Sequence, residues 1–196
     1  MNVLSCTNLL DMESDGIPYL IETLVPQGTV VALIGNSDVA KSIFLRNMAY
    51  SYCSDAEQFL GYPILSSNRK CLYVSTEDAP LIVKDHLTKM GAVPCKNLLF
   101  GFDIENTNDN FFATLEEIQP SLIIIDAYGD VFEGDINNII QTRQFFKNFK
   151  KYASTNNCSF VFLHHTTKAA RNSSPSKHNA NGSQGFEGAC RLLMEL

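Results

Sequence analysis

The residues with the clearest chemical potential are Gly35, Asn36, Ser37, Asp38, Val39, Ala40, Lys41 and Ser42. They fit the phosphate-loop spacing G-x-x-x-x-G-K-[ST] with one departure, Ala40 in place of the second glycine. A polyphosphate is a dense anion. Successive backbone N–H groups and the positive end of a helix hold it without a matching number of basic side chains. Lys41 would add charge toward the β- and γ-phosphates, and the Ser42 hydroxyl would serve a Mg²⁺ ion. The effect of Ala40 turns on its backbone. At negative φ the methyl is tolerable and slightly favourable; in the left-handed region it costs about 1–2 kcal/mol and can crowd the phosphates.

Three more groups stand at the ends of apolar runs. Asp126 follows Leu122-Ile-Ile-Ile125 and is placed to hold Mg²⁺, directly or through water, opposite Ser42; otherwise it caps the following turn. Glu77 follows Cys71-Leu-Tyr-Val-Ser75 and suits a base that orients water for in-line attack. Its neighbour Asp78 is a competing choice, and either carboxylate can instead cap a helix beginning at Pro80. His165 ends Ser159-Phe-Val-Phe-Leu163-His-His165, where its ring can sense a γ-phosphate and pass that presence to the next loop. His164 faces the other way along the strand and reads as packing. Arg191 lies past a polar stretch. An arginine there either reaches a neighbouring subunit's phosphates or forms a surface salt bridge.

These groups need a scaffold that brings strand ends together. Val30–Ile34 reads as a strand buried on both faces, and 43–52 as a helix with Phe44, Leu45, Met48, Ala49 and Tyr52 inward. Residues 71–75, 97–102, 121–125 and 159–163 read as further strands. Helices are expected over 81–90, with Pro80 in the first turn and Gly91 at the end, and over 111–118 and 137–153. The last of these shows Ile139, Ile140, Phe145, Phe146 and Phe149 on one broad face. Residues 1–19 are expected to form an arm laid over the core, 54–70 a connector, 166–182 a mobile loop, and 187–196 the start of another element. Strands alternating with helices give an α/β fold, a doubly wound and mostly parallel sheet in one domain spanning 1–196. Ligands in such sheets sit at the carboxyl ends of strands. Glu77, Asp126 and His165 all fall there, on the same edge as Lys41.

Composition narrows the remaining classes. A chain of 196 residues with 45% hydrophobic and 18% charged content can bury a full core. Its six cysteines have no C-x-x-C pair, so they read as small core residues of a reducing compartment rather than as a disulfide frame or zinc site. No apolar run has membrane-spanning length, and the first ten residues lack a basic lead, so a cytoplasmic protein without a membrane partner is expected. A net charge of −6 argues against a wholly basic nucleic-acid surface but not against a local basic loop.

The set G-x-x-x-x-A-K-S, Y-V-S-T-E-D, L-I-I-I-D, F-L-H-H-T-T-K and G-S-x-x-x-x-x-A-C-R resembles the RecA-like P-loop ATPases of the RepA hexameric replicative helicase type, relatives of the RadA, KaiC and DnaB-like proteins. The likeness runs from about residue 20 to the last. It implies ATP and Mg²⁺ held by Lys41, Ser42 and Asp126, Glu77 as catalytic carboxylate, His165 as phosphate sensor and Arg191 as a trans-acting finger. It further implies a homo-oligomer, a hexameric ring, whose lumen loop carries Lys168, Arg171 and Lys177 to single-stranded DNA for translocation or unwinding. Such contacts are salt-sensitive and sequence-tolerant. Two departures stand out. Ala40 points to weakened hydrolysis, with a nucleotide-binding switch or assembly module as the alternative function. The chain also stops where the resembled proteins continue with further strands, as expected of either a C-terminally truncated chain or a reduced relative.

Overall fold

The computed structural model describes residues 3–13, 16–37, 39–104, 109–166 and 184–196. A short helix α1 (Cys6–Leu10) precedes a small antiparallel pair, β1 (Tyr19–Ile21) and β2 (Val25–Pro26). β3 (Val30–Gly35) leads through the phosphate-loop segment into α2 (Lys41–Cys53). The small hairpin of β4 (Gln58–Phe59) and β5 (Tyr62–Pro63) then connects to β6 (Cys71–Ser75). Next come α3 (Pro80–Lys89), β7 (Leu98–Gly101), α4 (Asp109–Ile118) and β8 (Leu122–Asp126). The remainder forms α5 (Tyr128–Val131), α6 (Ile139–Asn156), β9 (Ser159–His165), α7 (Gln184–Ala189) and β10 (Leu192–Glu195).

Six strands, every neighbouring pair parallel, form the central sheet in the order β10-β3-β9-β8-β6-β7. The pleat sorts side chains into two cores. Val30, Ala32 and Ile34 of β3 join Ile123, Ile125, Phe160 and Phe162 beneath α4, α6 and α7. Val31, Leu33, Leu122, Ile124, Val161 and Leu163 face the other layer with Leu45, Met48 and Tyr52 of α2. Every residue of β3, β6 and β8 is buried. This is why these strands read as near-continuous apolar runs rather than alternating ones. The arrangement is the doubly wound parallel α/β fold expected of a RecA-like P-loop core.

One layer is unusually aromatic. Tyr128 of α5 packs edge-on to His164 (ring centroids 4.9 Å apart) and against Phe186 of α7 (4.9 Å) and Phe146 of α6 (5.4 Å). His164 is 4.6 Å from Phe186 by the same measure. His164 is therefore packing, as its place in the alternation implied.

The structure departs from expectation in three places. The arm does not lie over the core: residues 3–13 are exposed and α1 buries nothing. Its five residues close on themselves through a reciprocal Ser5–Asn8 capping box, which needs no tertiary contact. Contact with the core starts at Leu20. In α6 the buried face is Thr142, Phe146, Phe149 and Ala153, while Ile139 and Ile140 are exposed. The first turn is held by the Asn138 side chain, which accepts from the N–H groups of Ile140 and Gln141, so it forms without burying those two side chains. Finally, the element foreseen over 187–196 resolves into α7 and a sixth strand, β10, on the outer side of β3.

Candidate functional site

The loop after β3 is shaped by close packing. A Cβ on Gly35 would sit 2.8 Å from the Leu196 carbonyl oxygen and 3.2 Å from both Lys41 Cδ and Val39 Cγ2, so only glycine fits. Asn36 is tied across to the exit of β9. Thr166 donates its hydroxyl to Asn36 Oδ1 (2.7 Å) and its N–H to the Gly35 carbonyl (3.1 Å). Lys41 is buried, and its ammonium donates to the Asn36 carbonyl. The phosphate loop thus closes around its own lysine. Ser37 and Val39 are exposed beside it, and Asp38 lies outside the described residues.

Ala40 is the N-cap of α2, with φ 60° and ψ 29°, squarely left-handed. Its side chain makes no capping bond and its methyl faces solvent. The backbone adopts what a glycine at this position would adopt freely, so the unfavourable branch of the sequence argument applies.

From β3, α2 crosses over the sheet to pack on β8 and β6. That path brings Ser42 to a strand tip two places away. Its hydroxyl donates to Asp126 Oδ1 at 3.2 Å. Tyr73 of β6 donates to the other oxygen, Oδ2, at 2.5 Å. Burial raises the Asp126 carboxyl above the ordinary carboxylate range, while the bonds from Tyr73 and Ser42 and the charge of Arg46 pull it back. Burial and the facing Asp126 push the Tyr73 phenol well up, so it stays a proton donor. The tip is further pinned by Thr76, whose N–H donates to the Asp126 carbonyl (2.8 Å) and whose hydroxyl accepts from the Ala127 N–H (2.9 Å). A hydroxyl and a carboxylate oxygen converging in this way form an all-oxygen donor set, the chemistry that suits Mg²⁺.

Glu77 and His165 meet on the same rim. Oε1 of Glu77 is 3.6 Å from Nε2 of His165, with both side chains partly exposed. The other ring nitrogen, Nδ1, is buried and has no partner among the described residues. Along the carboxyl edge the order is therefore Gly35, His165, Asp126 and Glu77, on adjacent strands. The geometry brings these together with Lys41 and Ser42. A carboxylate reachable by solvent, a lysine, an imidazole with a free nitrogen and a hydroxyl–carboxylate pair suited to a cation make up a set that can bind a polyphosphate and direct water at it.

Arg191 is elsewhere. Its N–H donates to the Val30 carbonyl, so it sits at the amino end of the sheet, five residues of β3, or about 16 Å, from Gly35. It is exposed and lies away from its own chain's rim. Lys168, Arg171 and Lys177 fall outside the described residues. A cleft of about 560 Å³ lies beside β7 and α4, at the far edge of the sheet from Lys41. Several residues escaped the sequence reading. Tyr73, Thr76 and Thr166 are ordinary strand or strand-end residues in one dimension. Arg46 looks like a solvent charge on a helix, although its spacing of four from Ser42 placed it on the same face.

No helix among the described residues is long and apolar enough to cross a membrane. Comparison with curated proteins finds no match. The sequence model of the AAA domain family matches residues 7–171, from α1 past the end of β9. The chain belongs to the AAA domain family, whose P-loop ATPase character agrees with the geometry above.

Proposed function

We propose that this AAA-domain protein is a Mg²⁺-dependent ATPase that works as an oligomeric ring and couples hydrolysis to movement along single-stranded DNA. The observation that carries the hydrolytic part is the convergence of Ser42 and Asp126 (3.2 Å) on the rim that also bears Lys41, Glu77 and His165. Amides of the loop from Gly35 to Ser42 cradle the β- and γ-phosphates. Lys41 exchanges the Asn36 carbonyl for a phosphate oxygen. Ser42 and Asp126 would hold the cation, which would supply neutralising charge for the phosphates. Glu77 orients the attacking water and accepts its proton. His165, whose Nε2 lies close to Glu77 on the rim, senses the γ-phosphate and relays its presence toward the segment after Thr166. Arg191, exposed on the opposite end of the sheet, serves the next subunit's phosphates rather than its own. Lys168, Arg171 and Lys177 contact the DNA backbone.

A second reading is favoured by one observation, the left-handed Ala40. A loop held in strain binds nucleotide but turns it over slowly, which describes a switch or assembly module. One experiment separates the two: ATP hydrolysis with and without single-stranded DNA for the wild type, Ala40→Gly and Glu77→Gln. For the DNA-coupled enzyme, DNA stimulates turnover and Glu77→Gln loses about 100-fold or more while retaining nucleotide. Nucleotide binding with negligible turnover, rescued by Ala40→Gly, identifies the switch. Turnover undiminished in Glu77→Gln overturns the assignment of the base.

A further inference from the structure

Arg46 is among the largest fully buried side chains of the described residues, 0% exposed, and the scheme above gives it no work. It stands one turn after Ser42 on α2, so its side chain leaves the helix on the same face. Its Nη2 meets Asp78 Oδ2 at 2.5 Å and lies 3.8 Å from Asp126 Oδ2. Its Nη1 donates to Nδ1 of His86 on α3. The guanidinium carbon sits 5.6 Å from the ring centre of Tyr73, the same tyrosine that donates to Asp126. One cation thereby touches the phosphate-loop helix, the segment after β6, α3 and the tip of β8.

We infer that Arg46 is a positioning residue, a guanidinium clamp that fixes the segment bearing Glu77 and the tip bearing Asp126 in one arrangement across the head of α2. The inference rests on the ATPase reading above. Asp78 is the immediate neighbour of Glu77, and its carbonyl also accepts from the Ser75 hydroxyl (3.0 Å), so holding Asp78 holds the base. Stability is a poor account of such a residue. A buried ion pair is often no more stabilising than apolar side chains of the same volume, so a leucine or methionine at 46 would serve the core as well. The distances suit a positioning role. At 3.8 Å the cation attracts Asp126 without a close hydrogen bond, and Asp126 Oδ1 stays turned toward Ser42. Asp78 and His86 restrain the guanidinium from collapsing onto it. The planar fork reaches both partners from different nitrogens, which the point charge of lysine does not.

The test compares wild type, Arg46→Met, Arg46→Lys, Asp78→Asn and the double variant Arg46→Met/Asp78→Asn. Each is assayed for kcat and KM for ATP, the Mg²⁺ midpoint for binding a fluorescent ATP analogue, and Tm. Arg46→Met should lower kcat by about tenfold or more while KM stays within about threefold. Arg46→Lys should recover little of it. Asp78→Asn keeps the side chain's size and one oxygen acceptor but leaves the buried Arg46 cation with less compensation, so Tm should fall; measured well below that Tm, kcat should still drop several-fold. Because the two residues act through each other, the double variant should fall no further than Arg46→Met alone. Should Arg46→Met fail to fold, Asp78→Asn and Arg46→Lys decide. Wild-type kcat in Asp78→Asn, multiplying effects in the double variant, or a change confined to Tm overturns the clamp. If the wild type binds nucleotide without turnover, the same pattern must appear in the Mg²⁺ midpoint, and its absence there also overturns the clamp. A wild type that binds no nucleotide at all overturns the ATPase reading, and the clamp with it.

Discussion

Replacing Ala40 with glycine should stabilise the protein, against the usual direction for an alanine-to-glycine change at a helix end. The residue sits at φ 60° and ψ 29°, where an L-side chain costs about 1–2 kcal/mol. Its methyl is exposed, so removing it forfeits no packing. Glycine relieves the strain but frees the unfolded chain, which takes back about 0.4–1 kcal/mol. The net gain is about 0.5–1 kcal/mol, or about 1–4 °C in Tm for a chain of this size. Thermal unfolding followed by circular dichroism, with and without Mg²⁺ and nucleotide, reads it. Ala40→Val is the control and should move Tm down, since a β-branched residue at positive φ is an outlier. An unchanged or lowered Tm in Ala40→Gly would refute the strain argument. The same variant separates two effects of the methyl: a rise in Tm without a rise in turnover means strain alone, and a rise in both means the methyl also crowds the phosphates.

Burial raises the Asp126 carboxyl, so the folded state holds that proton more tightly than the unfolded chain does. The stability this confers is present at low pH and is lost as pH rises through the raised value. Asp126→Asn removes that loss: its Tm should exceed wild type at neutral pH, with the gap closing as pH falls into the carboxylate range, and a pH-independent gap would contradict the linkage. Arg191→Ala should leave nucleotide affinity intact and cut turnover by as much as about 10³-fold. Mixed with Glu77→Gln, it should regain activity through interfaces that pair one subunit's arginine with the other's carboxylate; a mixture as inactive as its components argues against action in trans.

The rim was readable in one dimension because each strand is an unbroken apolar run that ends in a polar residue. Val30–Ile34, Cys71–Val74, Leu122–Ile125 and Phe160–Leu163 are buried on both faces, and the first polar groups beyond them must emerge at the carboxyl edge. What stayed hidden depends on the third dimension. The φ of Ala40 is set by how β3 turns into α2, and residue type alone left both signs open. Arg46 carries no sign that Asp78 and His86, 32 and 40 positions along, will enclose it. Ile139 and Ile140 fit the helical apolar stripe, yet both stay exposed while burial in α6 starts at Thr142. The arm over 1–19 is expected against the core, but a local cap satisfies α1, and its Leu9 and Leu10 stay exposed.

The aromatic stack around Tyr128 ties the carboxyl edge to the return of the chain into the sheet. Helix α7 has six residues, too few to persist on its own, and it is kept in place by Phe186 wedged against Tyr128 and His164. Those two rings sit two residues after Asp126 and one before His165. Opening α7 therefore loosens the tips of β8 and β9 in the same event. Amide exchange in 184–189 should slow whenever those tips are held, which makes this short helix a natural reporter of occupancy.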